Sequence, residues 1–134
     1  MNSYLLDTDI CIYSMKGLYD LKEKILHVGI ENCFISEITV LELTYGVENS
    51  DASKKEKNLE KLNSFLNSID TISVTSCIKI FAKEKSRLKK SGILIDHFDL
   101  IIGTTAVANN MILVTNNSKH FDRIESIQIE NWSQ

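Results

Sequence analysis

The sequence predicts an α/β fold, with a central, mainly parallel sheet of four to five strands covered by helices on both faces. Three observations carry that prediction. Short apolar runs alternate with longer segments of helical periodicity, and a strand that is apolar throughout is buried on both faces. The 134 residues, 43% apolar and 25% charged, suffice for a single core without disulfide staples, so residues 1–134 read as one domain. Zero prolines and five glycines exclude linkers, collagen-like repeats and low-complexity disorder.

Tyr4–Leu6 reads as a first buried strand, from which Asp7–Asp9 turn the chain into a helix broken at Gly17. Leu18, Leu21, Ile25 and Val28 recur at helical spacing and place a second helix up to Gly29. Cys33-Phe34-Ile35 is a second strand, after which Ser36 caps a helix over Glu37–Glu48. Leu59, Leu62, Phe65 and Leu66 mark an amphipathic helix starting at Ser53. Thr71–Val74 gives a third strand, and Thr75 caps a basic helix that stops at Gly92. Asp96 caps an almost wholly apolar helix from His97 to Asn109; Met111–Val114 and Ile127–Ile129 complete the strands. A parallel sheet presents its working residues beyond the carboxyl ends of its strands, where Asp7 and Thr115-Asn116-Asn117 fall.

Other classes are excluded early. No apolar stretch is long enough to span a membrane and Leu5–Leu6 is too short for a signal-peptide core, so the expected location is the cytoplasm. Cys11, Cys33 and Cys77 are odd in number, widely spaced and set among apolar neighbours, which reads as packing rather than a disulfide framework or zinc site. The net charge of −3 does not advertise a nucleic-acid binder. Locally, however, Lys79, Lys83, Lys85, Arg87, Lys89 and Lys90 are opposed only by Glu84, a pattern that fits either a solvated helix face or a phosphate track.

Three acids stand in surroundings that do not suit them. Asp7 interrupts the greasy stretch LLDTDICIY, where it, Thr8 or Asp9 can also cap the following helix. Glu42 shares the helical stripe of Ile38, Leu41 and Tyr45, which the periodicity turns inward. Asp99 sits inside FDLIIG, where the first-turn dipole and a capping-box relation to Asp96 offer a structural role. Together, three poorly solvated carboxylates without an evident buried cation repel one another, and a divalent ion removes that conflict. An all-oxygen donor set suits Mg²⁺ or Mn²⁺ and, with substrate phosphate, phosphodiester hydrolysis by an activated water.

The segments LLDTDICIY, SEITVLELTYGVE, GILIDHFDLIIGTTA and LVTNNSKHF followed by IENW, in this order and over nearly the whole chain, resemble a PIN domain. More narrowly they resemble the VapC-type toxins of bacterial toxin–antitoxin pairs. The resemblance implies a single PIN-like domain and a metal-dependent endoribonuclease that hydrolyses RNA, often a tRNA at the anticodon stem-loop, initiator tRNA included. It implies a homodimer and a cognate antitoxin that sets a basic residue among the acids. Asp7, Glu42 and Asp99 match the catalytic, metal-holding positions, with Asp96 and Asp9 as further acids; Asp9 stands where the pattern usually has Asn. The pattern also places an acid in or just after the TNN segment, whereas this chain has Asn116, Asn117, Ser118, Lys119 and His120. One ion is therefore expected rather than two. Thr8 and Thr115 are expected to orient ligands or substrate, Asn116 and Asn117 to meet substrate or a metal-bound water, and Lys119, His120 and the basic helix to grip the RNA backbone.

Two rivals begin from the same residues. A PIN-fold protein with weak or lost catalysis would act as a binding or regulatory partner, motivated by the acid missing near Asn117. A D-x-D phosphatase would use Asp7 as nucleophile, but its later acidic motif follows the strand-Thr, whereas Asp96 and Asp99 precede Thr115.

Overall fold

In the computed structural model, which describes all 134 residues, five parallel strands lie in the order β3-β2-β1-β4-β5. They are β1 (Tyr4–Leu6), β2 (Cys33–Ser36), β3 (Asp70–Ile72), β4 (Ile112–Val114) and β5 (Gln128–Glu130). Seven α-helices accompany them: α1 (Thr8–Met15), α2 (Leu21–Val28), α3 (Glu37–Glu48), α4 (Lys55–Ser68), α5 (Ile78–Lys90), α6 (His97–Ala108) and α7 (Ser118–Phe121). Successive strand residues point to opposite faces, so Leu5 and Leu6 serve different cores. Leu6, Ile35 and Val114 join Ile10, Leu43 and Leu62 beneath α1 to α4, while Leu5 and Leu113 join Leu88, Leu100, Ile102 and Phe121 beneath α5 to α7. All three cysteines are free and buried.

Several boundaries differ from the sequence reading, each for a local reason. The second helix starts at Leu21, because Tyr19 and Asp20 adopt positive φ and Leu18 stays in the exposed turn. The long amphipathic helix starts at Lys55 rather than Ser53. The third strand is Asp70–Ile72, and Val74–Cys77 form a 3₁₀ turn capped by Ser73, whose hydroxyl accepts from Thr75 N–H at 3.2 Å. Thr75 is therefore not the cap of α5. The other end of α5 matches the expectation. Gly92, at φ +72°, lets its own N–H reach Lys89 O and the Ile93 N–H reach Leu88 O, and Ile93 packs in the same core as Leu88. Within α6, Gly103 permits close packing, since a Cβ there would lie 2.3 Å from Ile124 Cδ1. The short helix α7 is absent from the sequence reading; at four residues it is too brief for periodicity to register.

Candidate active site

The site is built first by sheet register. Leu6 pairs with Val114, so the residues that follow, Asp7 and Thr115, leave neighbouring strands side by side at the carboxyl edge. The strand order reverses direction around β1 and β4, the position at which open α/β sheets form their crevices. The Asp7 N–H donates to Val114 O at 2.9 Å, and the Thr115 hydroxyl donates to Asp7 Oδ2 at 2.8 Å. Thr115 in turn accepts from the Asn117 N–H at 3.0 Å, which fixes its rotamer. Asp7 is only 7% exposed.

Asp7 is also the N-cap of α1, its Oδ1 accepting from Thr8 N–H at 2.8 Å. Asp9 is thus not the cap; it lies exposed in the first turn, where its charge adds to the repulsion felt by the other acids. The Thr8 hydroxyl spends its one proton on Glu42 Oε1 at 2.6 Å. The Thr39 hydroxyl, 3.1 Å from that of Thr8, must then be its donor. Thr39 is fully buried one turn before Glu42 and orders this chain; sequence reasoning passed over it, although its i, i+3 relation to Glu42 was the available signal.

Glu42 does not share the inward stripe that the periodicity predicts. Leu41 and Tyr45, expected to face inward, are 50% and 65% exposed, whereas Thr39 and Leu43 are buried. Because α3 carries apolar residues nearly all round, 3.6-residue spacing supports more than one stripe. Glu42 itself is half-buried at the edge of the true inner face, turned toward α1.

Asp99 lies half-buried in the first turn of α6, behind Asp96, which caps the helix through Phe98 N–H and Asp99 N–H at 3.1 and 3.4 Å. Its carboxylate Oδ2 is 2.9 Å from His120 Nε2, a contact made by α7. His120 is therefore part of the acidic cluster rather than only a flanking basic residue. Asn116, expected to meet substrate or a metal-bound water, instead donates to Tyr13 OH at 3.0 Å, while Asn117 and Lys119 are exposed beside the site.

Electrostatics unite the acids. Burial raises the Asp7 carboxyl from 3.8 to about 6, despite the hydrogen bonds from Thr115 and Thr8, with Asp9 and Asp99 pushing the same way. Burial raises Glu42 too, against the Thr8 hydrogen bond, and Asp99, Asp96 and Asp9 add repulsion. Asp99 is raised by burial, with His120 opposing and Asp96 and Asp9 adding to the rise. No lysine or arginine forms an ion pair with any of the three. Such a set of hard oxygen donors fits a divalent cation by charge and chemistry. As the side chains stand, no three Asp, Glu, His or Cys groups converge as a ligand set.

A parallel sheet in this order, with acids from three distant segments at its carboxyl edge, defines the class, and the PIN domain family model matches residues 4–127. The chain belongs to the PIN-domain family. Within that family it is of the VapC type. It is 37% identical to Ribonuclease VapC2 of Rickettsia felis, with 98% of each chain covered. It is 29% identical to the tRNA(fMet)-specific endonuclease VapC of Shigella flexneri, over 99% of this chain and 100% of that one. The crystal structure of DNA-bound VapBC from Salmonella typhimurium matches with a TM-score of 0.90 at 30% identity, covering 98% of this chain and 99% of that chain. The family assignment displaces the D-x-D phosphatase reading.

Proposed function

We propose that this chain is a metal-dependent endoribonuclease and the toxin of a toxin–antitoxin pair, with tRNA as its substrate. The observation that carries the reading is the set Asp7, Glu42 and Asp99: three poorly solvated carboxylates from distant segments, all raised in pKa, with no basic partner except His120. The names of the Rickettsia and Shigella relatives support the nuclease activity, and the Shigella name supports tRNA(fMet), the initiator tRNA, as the first substrate to try.

Asp7, Glu42 and Asp99 would hold one Mg²⁺ or Mn²⁺, with Asp96 and Asp9 contributing charge around it. When bound, the ion neutralises phosphate charge and acidifies a water for attack on phosphorus. Thr115 and the Thr8 N–H hold Asp7 in one orientation, and the Thr8 hydroxyl does the same for Glu42. Each carboxylate keeps lone pairs beyond those hydrogen bonds, and Asp99 would share its oxygens between the ion and His120. Asn117 and Lys119, exposed beside the site, would meet the RNA backbone.

A groove of about 330 Å³ runs from Glu42 past Ile12, Met15, Leu43, Val47 and Leu62. We assign it to a segment of the antitoxin, in keeping with the VapBC complex of the Salmonella relative. The exposed apolar side chains Leu41 and Tyr45 on α3 and Leu94 and Phe98 around the start of α6 support a homodimer. No helix is long and apolar enough to cross a membrane, in keeping with a cytoplasmic protein acting on RNA. A binding-only PIN protein is the second reading, favoured by the absence of an acid across Thr115–His120. The deciding experiment incubates antitoxin-free protein with a tRNA pool in Mg²⁺, Mn²⁺ or EDTA and maps the new 5′ ends. Discrete, chelator-sensitive cleavage is expected; an intact pool under all three conditions favours the second reading.

A further inference from the structure

The candidate site presents an RNA strand with a problem. Asp7, Asp9, Glu42, Asp96 and Asp99 surround it, the chain as a whole carries −3, and a polyanion is repelled unless a positive surface adjoins the acids. The chain's lysines are distributed unevenly in that respect. On α4 and its N-cap, Lys54, Lys55, Lys57 and Lys61 are interleaved with Glu56 and Glu60, and Lys55 pairs with Glu48 at 2.7 Å. On α2, Lys22 and Lys24 flank Glu23, and Lys24 is bonded to the Trp132 carbonyl.

Helix α5 differs. Its one acid, Glu84, is buried and taken by Arg87, which donates to both its oxygens at 3.0 and 2.8 Å. Lys79, Lys83, Lys85, Lys89 and Lys90 are all exposed, and none is in an ion pair. Helical spacing sorts them into two rows, Lys79, Lys83 and Lys90 along one and Lys85 and Lys89 along the other. The exposed small residues Ala82 and Ser86 lie between the rows. Helix stability does not account for this pattern. Lys89 and Lys90 suit the negative end of the helix dipole, but Lys79 sits in the first turn, and the i, i+4 pairs Lys79/Lys83 and Lys85/Lys89 repel.

The stripe also lies beside the helix that carries Asp99. Helix α5 packs on α6, and Lys85 Nζ is 2.6 Å from Nε2 of His97, the first residue of α6, next to Asp96 and two before Asp99.

We propose that the outer face of α5, with Lys83, Lys85 and Lys89 at its centre, is the track on which the RNA backbone lies as it leaves the catalytic acids. The proposal rests on the nuclease reading above and specifies where that enzyme obtains its affinity for a polyanion. Small residues between two cationic rows let a phosphodiester strand settle against the helix, and contacts to phosphate confer affinity without base preference.

The test compares the triple variant K83A/K85A/K89A with a control triple, K22A/K54A/K57A, which changes net charge by the same amount. Both are measured for tRNA cleavage, and for binding of fluorescent tRNA and duplex DNA across a salt series, the latter in an Asp7→Asn background. The α5 triple is expected to raise KM roughly tenfold to a hundredfold with little change in kcat. It should also reduce the magnitude of the log–log salt slope by about 2, at about 0.7 per lost phosphate contact. The control triple should stay near wild type, both should keep the wild-type melting temperature, and Lys→Arg at the three α5 positions should restore binding. Wild-type cleavage with an unchanged KM and salt slope in the α5 triple overturns the track alone. Equal losses in the control triple, or a loss confined to duplex DNA, overturn it as well. Failure of the wild-type protein to cleave any RNA overturns the nuclease reading on which it rests.

Discussion

Two sets of buried acids in this molecule meet opposite fates. Glu84, 5% exposed, is satisfied on every side: both oxygens accept from Arg87, and Oε2 also accepts the Glu125 N–H at 3.0 Å. Its pKa is lowered, first by the Arg87 hydrogen bond. Asp7, equally buried, meets only hydroxyl and amide donors and is raised to about 6. Glu84 joins α5 to the segment after α7, where Arg87 also donates to the Arg123 carbonyl at 2.8 Å, so its charge is part of the architecture. Asp7, Glu42 and Asp99 carry charge that the fold leaves uncompensated. That difference separates a structural carboxylate, set among lysines in the sequence, from one held ready for an ion at the end of an apolar strand.

The largest effect expected from breaking the comparison is at Asp7. Asp7→Asn should reduce RNA cleavage more than about a hundredfold, above the range typical of groups that merely support a metal ligand. In EDTA at pH 7.5 the same variant should be more stable than wild type, by up to about 3 kcal/mol, because it removes a buried charge. The sign is set by linkage. An acid raised from 3.8 to about 6 holds more protons when folded, so stability falls as pH rises through that interval and the penalty persists above it. The advantage of Asp7→Asn should therefore fade below pH 4, as thermal melts across pH will show.

Glu84→Ala should do the reverse, lowering stability by about 2 kcal/mol in denaturant titrations at pH 7, the scale of lost charged hydrogen bonds. Any cleavage defect should be small at temperatures where the variant is folded. Since the Glu84 pKa is lowered, its contribution is present above the ordinary glutamate range and disappears as pH falls, opposite to Asp7. A smaller effect is expected at Thr8, whose hydroxyl orients Glu42. Thr8→Val should weaken Mn²⁺ affinity about 10-fold to 100-fold, and Thr8→Ser should retain it. Equal affinity in the two variants would remove Thr8 from the account.

The sheet was legible in sequence because buried parallel strands are continuous apolar runs, and Asp7 and Thr115 could be placed at strand ends for the same reason. Gly92 and Asp96 were readable as helix punctuation, each with a defined backbone role. Where the sequence misled, the local signal was degenerate. Helix α3 is apolar on several faces, so Leu41 and Tyr45 were assigned inward although the sheet takes Thr39 and Leu43. The contact of His120 with Asp99 and the Glu84–Arg87 link to residues 123–125 depend on α7 and its following turn, whose few residues carry no periodicity. Long-range side-chain partners of that kind are fixed by tertiary packing, which no window of one sequence displays.

The central claim is that Asp7, Glu42 and Asp99 together form one divalent-ion site, although the side chains stand apart in the conformation described. Calorimetric titration of Mn²⁺ into the antitoxin-free chain tests it directly, with Asp7→Asn, Glu42→Gln and Asp99→Asn alongside wild type. The account predicts one ion bound per chain by wild type and at least a tenfold loss of affinity in each single variant. Wild-type affinity in any of the three, or no binding by wild type itself, contradicts it.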